Sequence, residues 1–132
     1  MSSEGITNAD NEVYDAHSSE RTETIKSVLP TLDIERAIAS VFVHHSPVGI
    51  QYMNEAGADL VLSGHTHAGQ LFPATLIAQL QFPYLQGLYY YNDTIVHISQ
   101  GIGTFGPPIR VATKGEATFI SLVPSGTQLH AN

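Results

Sequence analysis

The sequence predicts an α/β fold in which helices flank a mixed β-sheet. Two apolar runs, at residues 38–44 and 59–63, have the length and composition of buried strands. Residues 48–56 between them place apolar side chains on one helical face and end at Gly57, a common helix stop. A strand, a helix and a strand in this order predict two parallel neighbours joined by a right-handed crossover.

The second observation behind the mixed sheet is a predicted β-hairpin. Residues 87–91 and 94–99 are rich in aromatic and β-branched side chains, and Asn92-Asp93 between them suits a tight turn. Residues 110–112 and 117–123 are expected to form two last strands joined at Lys114-Gly115.

The N-terminal part predicts fewer regular elements. A helix is expected to begin at Ser18 and Ser19 and to run to about Val28, ending before Pro30. Residues 33–37 could form a further helical turn. Residues 1–17 are polar and are interpreted as a loop, with a strand end near Gly5-Ile6.

Composition restricts the possible functions. The 132 residues carry a formal net charge of −7 with five Lys and Arg, which argues against a nucleic-acid partner because such partners require a basic surface. There is no cysteine, so disulfides and thiolate metal sites are excluded. No signal peptide and no apolar run of transmembrane length is visible, and the compartment stays unknown.

Two histidine clusters follow the two predicted parallel strands. His44 and His45 follow the first strand, and His65 and His67 follow the second within a glycine-containing loop. The C-terminal ends of parallel strands meet at one sheet edge, and imidazole is a common metal ligand. The pattern therefore indicates a metal site, and the alternative is a polar loop with solvated histidines.

Three segments in this order resemble the C-terminal half of a calcineurin-like metallophosphoesterase, and the similarity extends from about Ile38 to about Val123. The branch that it resembles most has the signature Gly-His-Thr-His-Gly-Gly-Gln, with Ala68 replacing a glycine here. The segments are Val41-Phe42-Val43-His44-His45-Ser46-Pro47, Gly64-His65-Thr66-His67-Ala68-Gly69-Gln70 and Gly101-Ile102-Gly103-Thr104-Phe105-Gly106-Pro107-Pro108-Ile109-Arg110.

The resemblance implies half of an αββα sandwich and a phosphate-ester substrate, monoester or diester. It also implies two divalent ions, which could be Mn, Fe, Zn or Mg. It assigns His45 and His65 to the second metal and His67 to the first, and it gives His44 no ligand role. Arg110 becomes a candidate phosphate contact; a surface ion pair is the alternative.

Several parts of the family pattern do not occur in this sequence. Gly-Asp and Gly-Asn-His do not occur, and Asp-x-His occurs only as Asp15-Ala16-His17, outside residues 38–123, which carry the resemblance. In the family, these segments supply the bridging aspartate and the other ligands of the first metal. The resemblance therefore predicts an incomplete C-terminal half at residues 18–123, followed by a tail at 124–132. We expect it to be inactive alone and to associate with the missing N-terminal half or with itself.

Two rival functions stay open at this point. One is a non-catalytic interaction or scaffold remnant of the same fold. The other is a mononuclear zinc hydrolase in which His45, His65 and His67 converge on one ion.

The remaining segments predict less specific roles. Residues 71–86 are apolar and uncharged, with a possible short helix at 75–80; they would form core, a partner-covered loop, or a lid close to a lipid or membrane. Their apolar side chains belong to Leu71, Phe72, Leu76, Ile77, Leu80, Phe82 and Tyr84. His97 is expected to be packed in a strand, and His17 and His130 to lie in loops.

Overall fold

The chain folds around a five-stranded mixed sheet. A computed structural model describes residues 3–5, 19–70, 76, 84–111 and 113–124. The strand order across the sheet is β1-β4-β5-β3-β2. The strands are β1 (Ser3–Gly5), β2 (Val41–Val43), β3 (Leu60–Ser63), β4 (Gly87–Tyr91) and β5 (Thr94–Ile98). The helices are α1 (Ser19–Val28) and α2 (Ile50–Ala56), with 3-10 turns at Leu29–Thr31 and His67–Gly69.

The pairing of the strands confirms both predicted motifs. β2 and β3 are parallel, with Phe42 opposite Val61, and β4 and β5 form an antiparallel hairpin. The sequence did not predict that β5 also pairs in parallel with β3, with Val61 opposite Val96. Three parallel strands, β2, β3 and β5, therefore end at the same edge of the sheet.

One face of the sheet packs against the helices. Phe42, Val61, Val96 and Tyr89 share this face, because they are opposite one another across four strands and side chains alternate along each strand. The buried core contains these side chains and helix residues, which are Ile25, Leu29, Val48, Ile50, Met53, Ala58, Val61, Tyr84, Tyr89, Tyr91, Val96 and Ile98. The helices thus fix the sheet by apolar burial.

The other face of the sheet stays partly open. Val41, Leu60, Ile95 and Tyr90 form a row on it, and of these Val41, Ile95 and Tyr90 are exposed. Val43 on the edge strand is 79% exposed. An apolar sheet face of this kind is the expected appearance of half a two-sheet sandwich.

The helix boundaries differ slightly from their predictions. α1 ends at Val28, but the chain continues through Pro30 as a 3-10 turn, since proline is tolerated in the first turn of a helix. α2 begins two residues later than expected because Gly49 has a left-handed backbone with φ 67°. A side chain at Gly49 would meet the Ile25 side chain at 2.8 Å. Gly57 ends α2 in the left-handed conformation, as predicted.

Three predicted elements are wrong. Residues 33–37 form no helical turn; a reverse turn closes there through a hydrogen bond from Ile38 N to Glu35 O of 3.0 Å. The predicted strands at 110–112 and 117–123 are absent from the described residues of those segments. Within the described part of the chain, their backbone pairs with no strand: Val111 N donates to Gln70 O, and Phe119 is 93% exposed.

Other predictions fall wholly or partly outside the described residues. They include the loop at 6–17, the helix at 75–80, most of the apolar segment 71–86, and the tail beyond Pro124. β1 at Ser3–Gly5 agrees with the strand expected near Gly5. Within 71–86, Tyr84 is buried and belongs to the core, whereas Leu76 is exposed.

Candidate metal centre

The site is built at the edge where β2, β3 and β5 end. Hydrogen bonds continue the sheet beyond the strands: His44 N donates to Leu62 O at 3.0 Å and Gly64 N donates to His45 O at 3.1 Å. Ser99 N likewise donates to Ser63 O at 2.8 Å. These bonds hold the loops after the three strands side by side, where open α/β sheets place their binding sites.

His45 and His65 meet at this edge. Nε2 of His45 lies 2.9 Å from Nδ1 of His65, and the two rings cross at 71° with centroids 4.7 Å apart. Two nitrogens bound to one ion at about 2.05 Å are separated by about 2.9 Å at right angles and by about 3.3 Å at the tetrahedral angle. In this structure the two ring nitrogens are hydrogen bonded to each other. The same separation also suits two ligands of one ion at right angles, and both side chains are exposed to solvent.

The backbone after β3 is unusually left-handed. His65, His67, Ala68 and Gln70 have φ values of 74°, 47°, 51° and 51°. For residues other than glycine, each such conformation costs on the order of 1–3 kcal/mol and occurs preferentially at functional sites. Gly69 is also left-handed, as glycine allows, and His65 and His67 share this backbone region.

Thr66 stabilises this turn. Its hydroxyl donates to the carbonyl of Leu85 and accepts at 3.4 Å from the amide of Ala68. Gly69 N donates to Thr66 O at 3.0 Å, which closes the 3-10 turn. The contact with Leu85 joins the turn to the segment that enters β4.

His67 lies on the other side of the turn and contacts Arg110. A guanidinium nitrogen is 3.4 Å from Nδ1 of His67, and another is 3.4 Å from its carbonyl oxygen. Among the described residues, no three His, Asp or Glu side chains cluster closely enough to hold one ion. The three-histidine zinc site is therefore not the arrangement found in this part of the chain.

Among the described residues, Arg110 has no acidic partner, so the surface ion pair that was the alternative to a phosphate contact is not found there. Its guanidinium donates to the carbonyls of Gln100 and Gly101, both at 3.0 Å, and to that of Gly103 at 3.2 Å. The same side chain reaches His67 O, so it joins its own loop to the turn at residues 65–70, the histidine turn. To bind a phosphate, Arg110 would have to exchange some of these carbonyls for phosphate oxygens.

His44 has a local contact instead of a ligand position. Its Nδ1 lies 2.6 Å from Ser46 O, so this nitrogen donates to the carbonyl and orients the ring along its own loop. The structure thus separates the two adjacent histidines, with His45 directed to His65 and His44 to the backbone.

Gln70 ends the signature segment, but the sequence assigned it no role of its own. It is 5% exposed and contacts the loop between Gln100 and Glu116 through both its side chain and its backbone. A polar residue at the end of a compact turn, directly before an apolar segment, was the available signal. Its partners lie more than thirty residues away, and no local pattern could identify them.

His97 is buried in β5, as predicted, and faces Glu116. Nε2 of His97 is 3.7 Å from a carboxylate oxygen of Glu116. Burial raises the pKa of Glu116, but hydrogen bonds from Thr118 and Gln100 and the neighbouring His97 outweigh it, so the net pKa is lowered. This group fixes the C-terminal end of the loop to the sheet.

Comparison with curated proteins decides the family. Over 101 residues, 70% of the chain, it is 38% identical to an uncharacterized metallophosphoesterase of Helicobacter pylori. The chain belongs to the metallophosphoesterase family. It is also 39% identical over 69% of its length to a transmembrane protein with metallophosphoesterase domain of Danio rerio. An uncharacterized metallophosphoesterase of Campylobacter jejuni is 36% identical over 69% of the chain.

The similarity covers most of this chain but only a part of each metallophosphoesterase relative. The chain spans about a quarter of their length, at 27% for the Helicobacter protein and 23% for the Danio protein. No family model matches the sequence, and no solved structure matches it significantly. No helix among the described residues is long and apolar enough to cross a membrane.

Proposed function

We propose that this metallophosphoesterase chain supplies the histidine side of a divalent-metal site that hydrolyses phosphate monoesters or diesters. The observation that carries the proposal is the pair of His45 and His65, whose nitrogens lie 2.9 Å apart at the edge where three parallel strands end. The left-handed backbone around His65 and His67 supports it, because such strain persists where a site requires it.

The donor set fits divalent metals that prefer nitrogen. His45 and His65 would hold one ion, and His67 would bind a second one from the opposite side of the turn. Imidazole suits Zn, Fe and similar ions, whereas Mg favours oxygen ligands, so Mg would have to obtain most of its ligands elsewhere. When bound, a pair of such ions activates water and neutralises charge on the phosphate.

The chain's own residues supply part of such a site. They orient two or three imidazoles, and they place the Arg110 guanidinium beside His67. The Gly-Asp and Gly-Asn-His motifs that give the family further ligands do not occur among the 132 residues. We therefore expect the isolated chain to bind metal weakly and to show little or no turnover.

A second candidate function follows from the open face of the sheet. Val41, Val43, Ile95 and Tyr90 are exposed apolar side chains on that face or its edge strand. A surface of this kind favours association with a complementary chain or with a second copy. A non-catalytic interaction role requires this association but no metal.

Metal titration of point variants tests the proposal. The wild-type chain would be titrated with Zn²⁺ and Mn²⁺ by calorimetry, beside His65→Ala, His45→Ala and His44→Ala. We expect each of the first two variants to lose about tenfold or more in affinity for the tighter ion. His44→Ala is the matched control, because its ring contacts Ser46 O, and its affinity should stay close to wild type.

Equal affinities for wild type and His65→Ala would contradict the proposed ligand pair. In the same samples, hydrolysis of an aryl phosphodiester in added Mn²⁺ would be measured. Metal near two per chain, with turnover that vanishes in His65→Ala, would show that the chain completes a working site by itself, against our expectation of inactivity. Absence of metal binding together with stable self-association would favour the interaction role.

A further inference from the structure

The side chain of Gln70 is surrounded by the loop between Gln100 and Glu116, which is rich in glycine and proline. Its amide nitrogen donates to the carbonyl of Phe105 at 2.8 Å and to those of Pro107 and Ile109, both at 3.1 Å. Its amide oxygen accepts from the backbone N–H of Phe105. A primary amide has two donor hydrogens, so the three carbonyl contacts use the whole donor capacity of the side chain, while its oxygen accepts one bond from the same loop.

The backbone of Gln70 is bonded to the same loop. Its carbonyl accepts from Val111 N at 2.9 Å and from the Thr113 hydroxyl at 3.1 Å. Phe105, Pro107, Ile109, Val111 and Thr113 thus all bond to one buried residue of the histidine turn. Gln70 itself is held in that turn, because its N–H donates to His67 O at 3.0 Å.

The apolar side chains of the loop contribute little to its attachment. Ile102 and Phe105 are 77% and 79% exposed, and Ile109 is also exposed. The interior of the loop is filled by the amide of Gln70 and the guanidinium of Arg110, which bind carbonyl oxygens. The position of this loop therefore depends on polar contacts, and Gln70 provides the largest set that comes from outside the loop.

We propose that Gln70 is a positioning residue, whose side-chain amide holds the loop against the histidine turn and thereby places the Arg110 guanidinium on His67. Only the ligand role given to His67 rests on the proposed function. The attachment of the loop rests on the contacts of Gln70 and exists without metal or substrate.

Gln70→Met tests this role, since methionine has nearly the same length but neither the donors nor the amide acceptor. Gln86→Met is the matched control, because Gln86 is exposed. The reporter for the loop is hydrogen exchange of the Val111 amide. Its acceptor is the backbone carbonyl of residue 70, which both variants retain, so its exchange reports where the loop lies. The reporter for Arg110 is the pair of ring-nitrogen chemical shifts of His67, measured by NMR on the metal-free chain.

We expect the Val111 amide to exchange about tenfold faster or more in Gln70→Met, because the loop loses several hydrogen bonds. The His67 ring-nitrogen shifts should change in the same variant, and Gln86→Met should alter neither reporter. Unchanged Val111 exchange in a folded Gln70→Met chain would overturn the proposal. Faster Val111 exchange with unchanged His67 shifts would overturn the part that concerns Arg110.

Arg110→Lys provides a second, independent test. Lysine lacks the planar fork that reaches several carbonyls and His67 together, so the His67 shifts should change while Val111 stays protected by the Gln70 contacts. Loss of Val111 protection to the same degree as in Gln70→Met would show that Arg110, not Gln70, holds the loop. Fast exchange of the Val96 amide in β5 would reveal that Gln70→Met has unfolded. In that case, Arg110→Lys still tests whether Arg110 holds the loop. None of these readouts needs metal or turnover, so they can fail or succeed separately from the histidine titration.

Discussion

The five-stranded sheet and the loop between Gln100 and Glu116 are neighbours that are held in place by different kinds of contact. The sheet is fixed by apolar side chains such as Val61, Val96 and Ile98, which are fully buried beneath the helices. The loop exposes its apolar side chains and is fixed by Gln70, Arg110 and Glu116 through hydrogen bonds and charge.

This difference separates stability from site geometry. Burial of an apolar side chain contributes roughly 1.5–3 kcal/mol and has no preferred direction. A hydrogen bond contributes only about 0.5–1.5 kcal/mol, but it fixes the distance and angle between two atoms. We infer that the sheet carries the stability of the chain, whereas the loop contacts carry the arrangement around His67.

The largest expected effect comes from truncating a buried side chain of the sheet. Ile98→Ala should lower the free energy of unfolding by about 2–5 kcal/mol, because it removes apolar contacts and leaves a cavity. Ile102→Ala, at an exposed loop position, should change it by no more than about 0.5 kcal/mol. Urea denaturation of both variants measures the difference. Similar losses of unfolding free energy at the two positions would contradict the inference that the sheet, and not the loop, carries the stability of the chain.

A smaller and pH-dependent effect is expected at Glu116. Because its pKa is lowered in the folded chain, its ionised form stabilises the fold above its ordinary pKa of 4.5. This contribution should disappear as the pH falls below 4.5 and through the folded pKa. Urea denaturation at pH 6 and at pH 3 should therefore show a stability gap between wild type and Glu116→Gln that narrows at the lower pH.

Glu55→Gln is the control for the Glu116 experiment, since Glu55 is exposed on α2. The gap between this variant and wild type should change much less between the two pH values. A gap for Glu116→Gln that stays constant from pH 6 to pH 3 would show that the carboxylate does not hold the loop.

The smallest effect is expected at Ala68 in the histidine turn. Ala68→Gly relieves a left-handed backbone, which stabilises by roughly 1–2 kcal/mol, but it loses a buried methyl group and adds freedom to the unfolded chain. These terms nearly cancel, so stability should change by less than about 0.5 kcal/mol. Ala56→Gly in α2 has no strain to relieve and should destabilise by about 0.5–1 kcal/mol or more. A clear loss of thermal stability in Ala68→Gly, equal to that of Ala56→Gly, would contradict the strain assigned to the turn.

Local sequence patterns were enough to predict the α/β class, the parallel pair of β2 and β3, and the hairpin of β4 and β5. These features depend on local information, namely apolar runs of strand length, a helix stop at Gly57 and turn residues at Asn92-Asp93. The sequence also located the two histidine clusters, since each follows a strand directly. The structure brings His45 and His65 together, and their shared metal ion stays a prediction from the family resemblance.

Tertiary structure decided the features that depend on distant partners. It paired β5 with β3, left residues 117–123 without a strand in spite of their β-forming composition, and buried Gln70 within a loop more than thirty residues away. Strand formation requires a neighbouring edge, and a buried amide requires carbonyl partners at the right distance. Neither requirement is encoded in a short stretch of sequence, because both depend on where the rest of the chain lies.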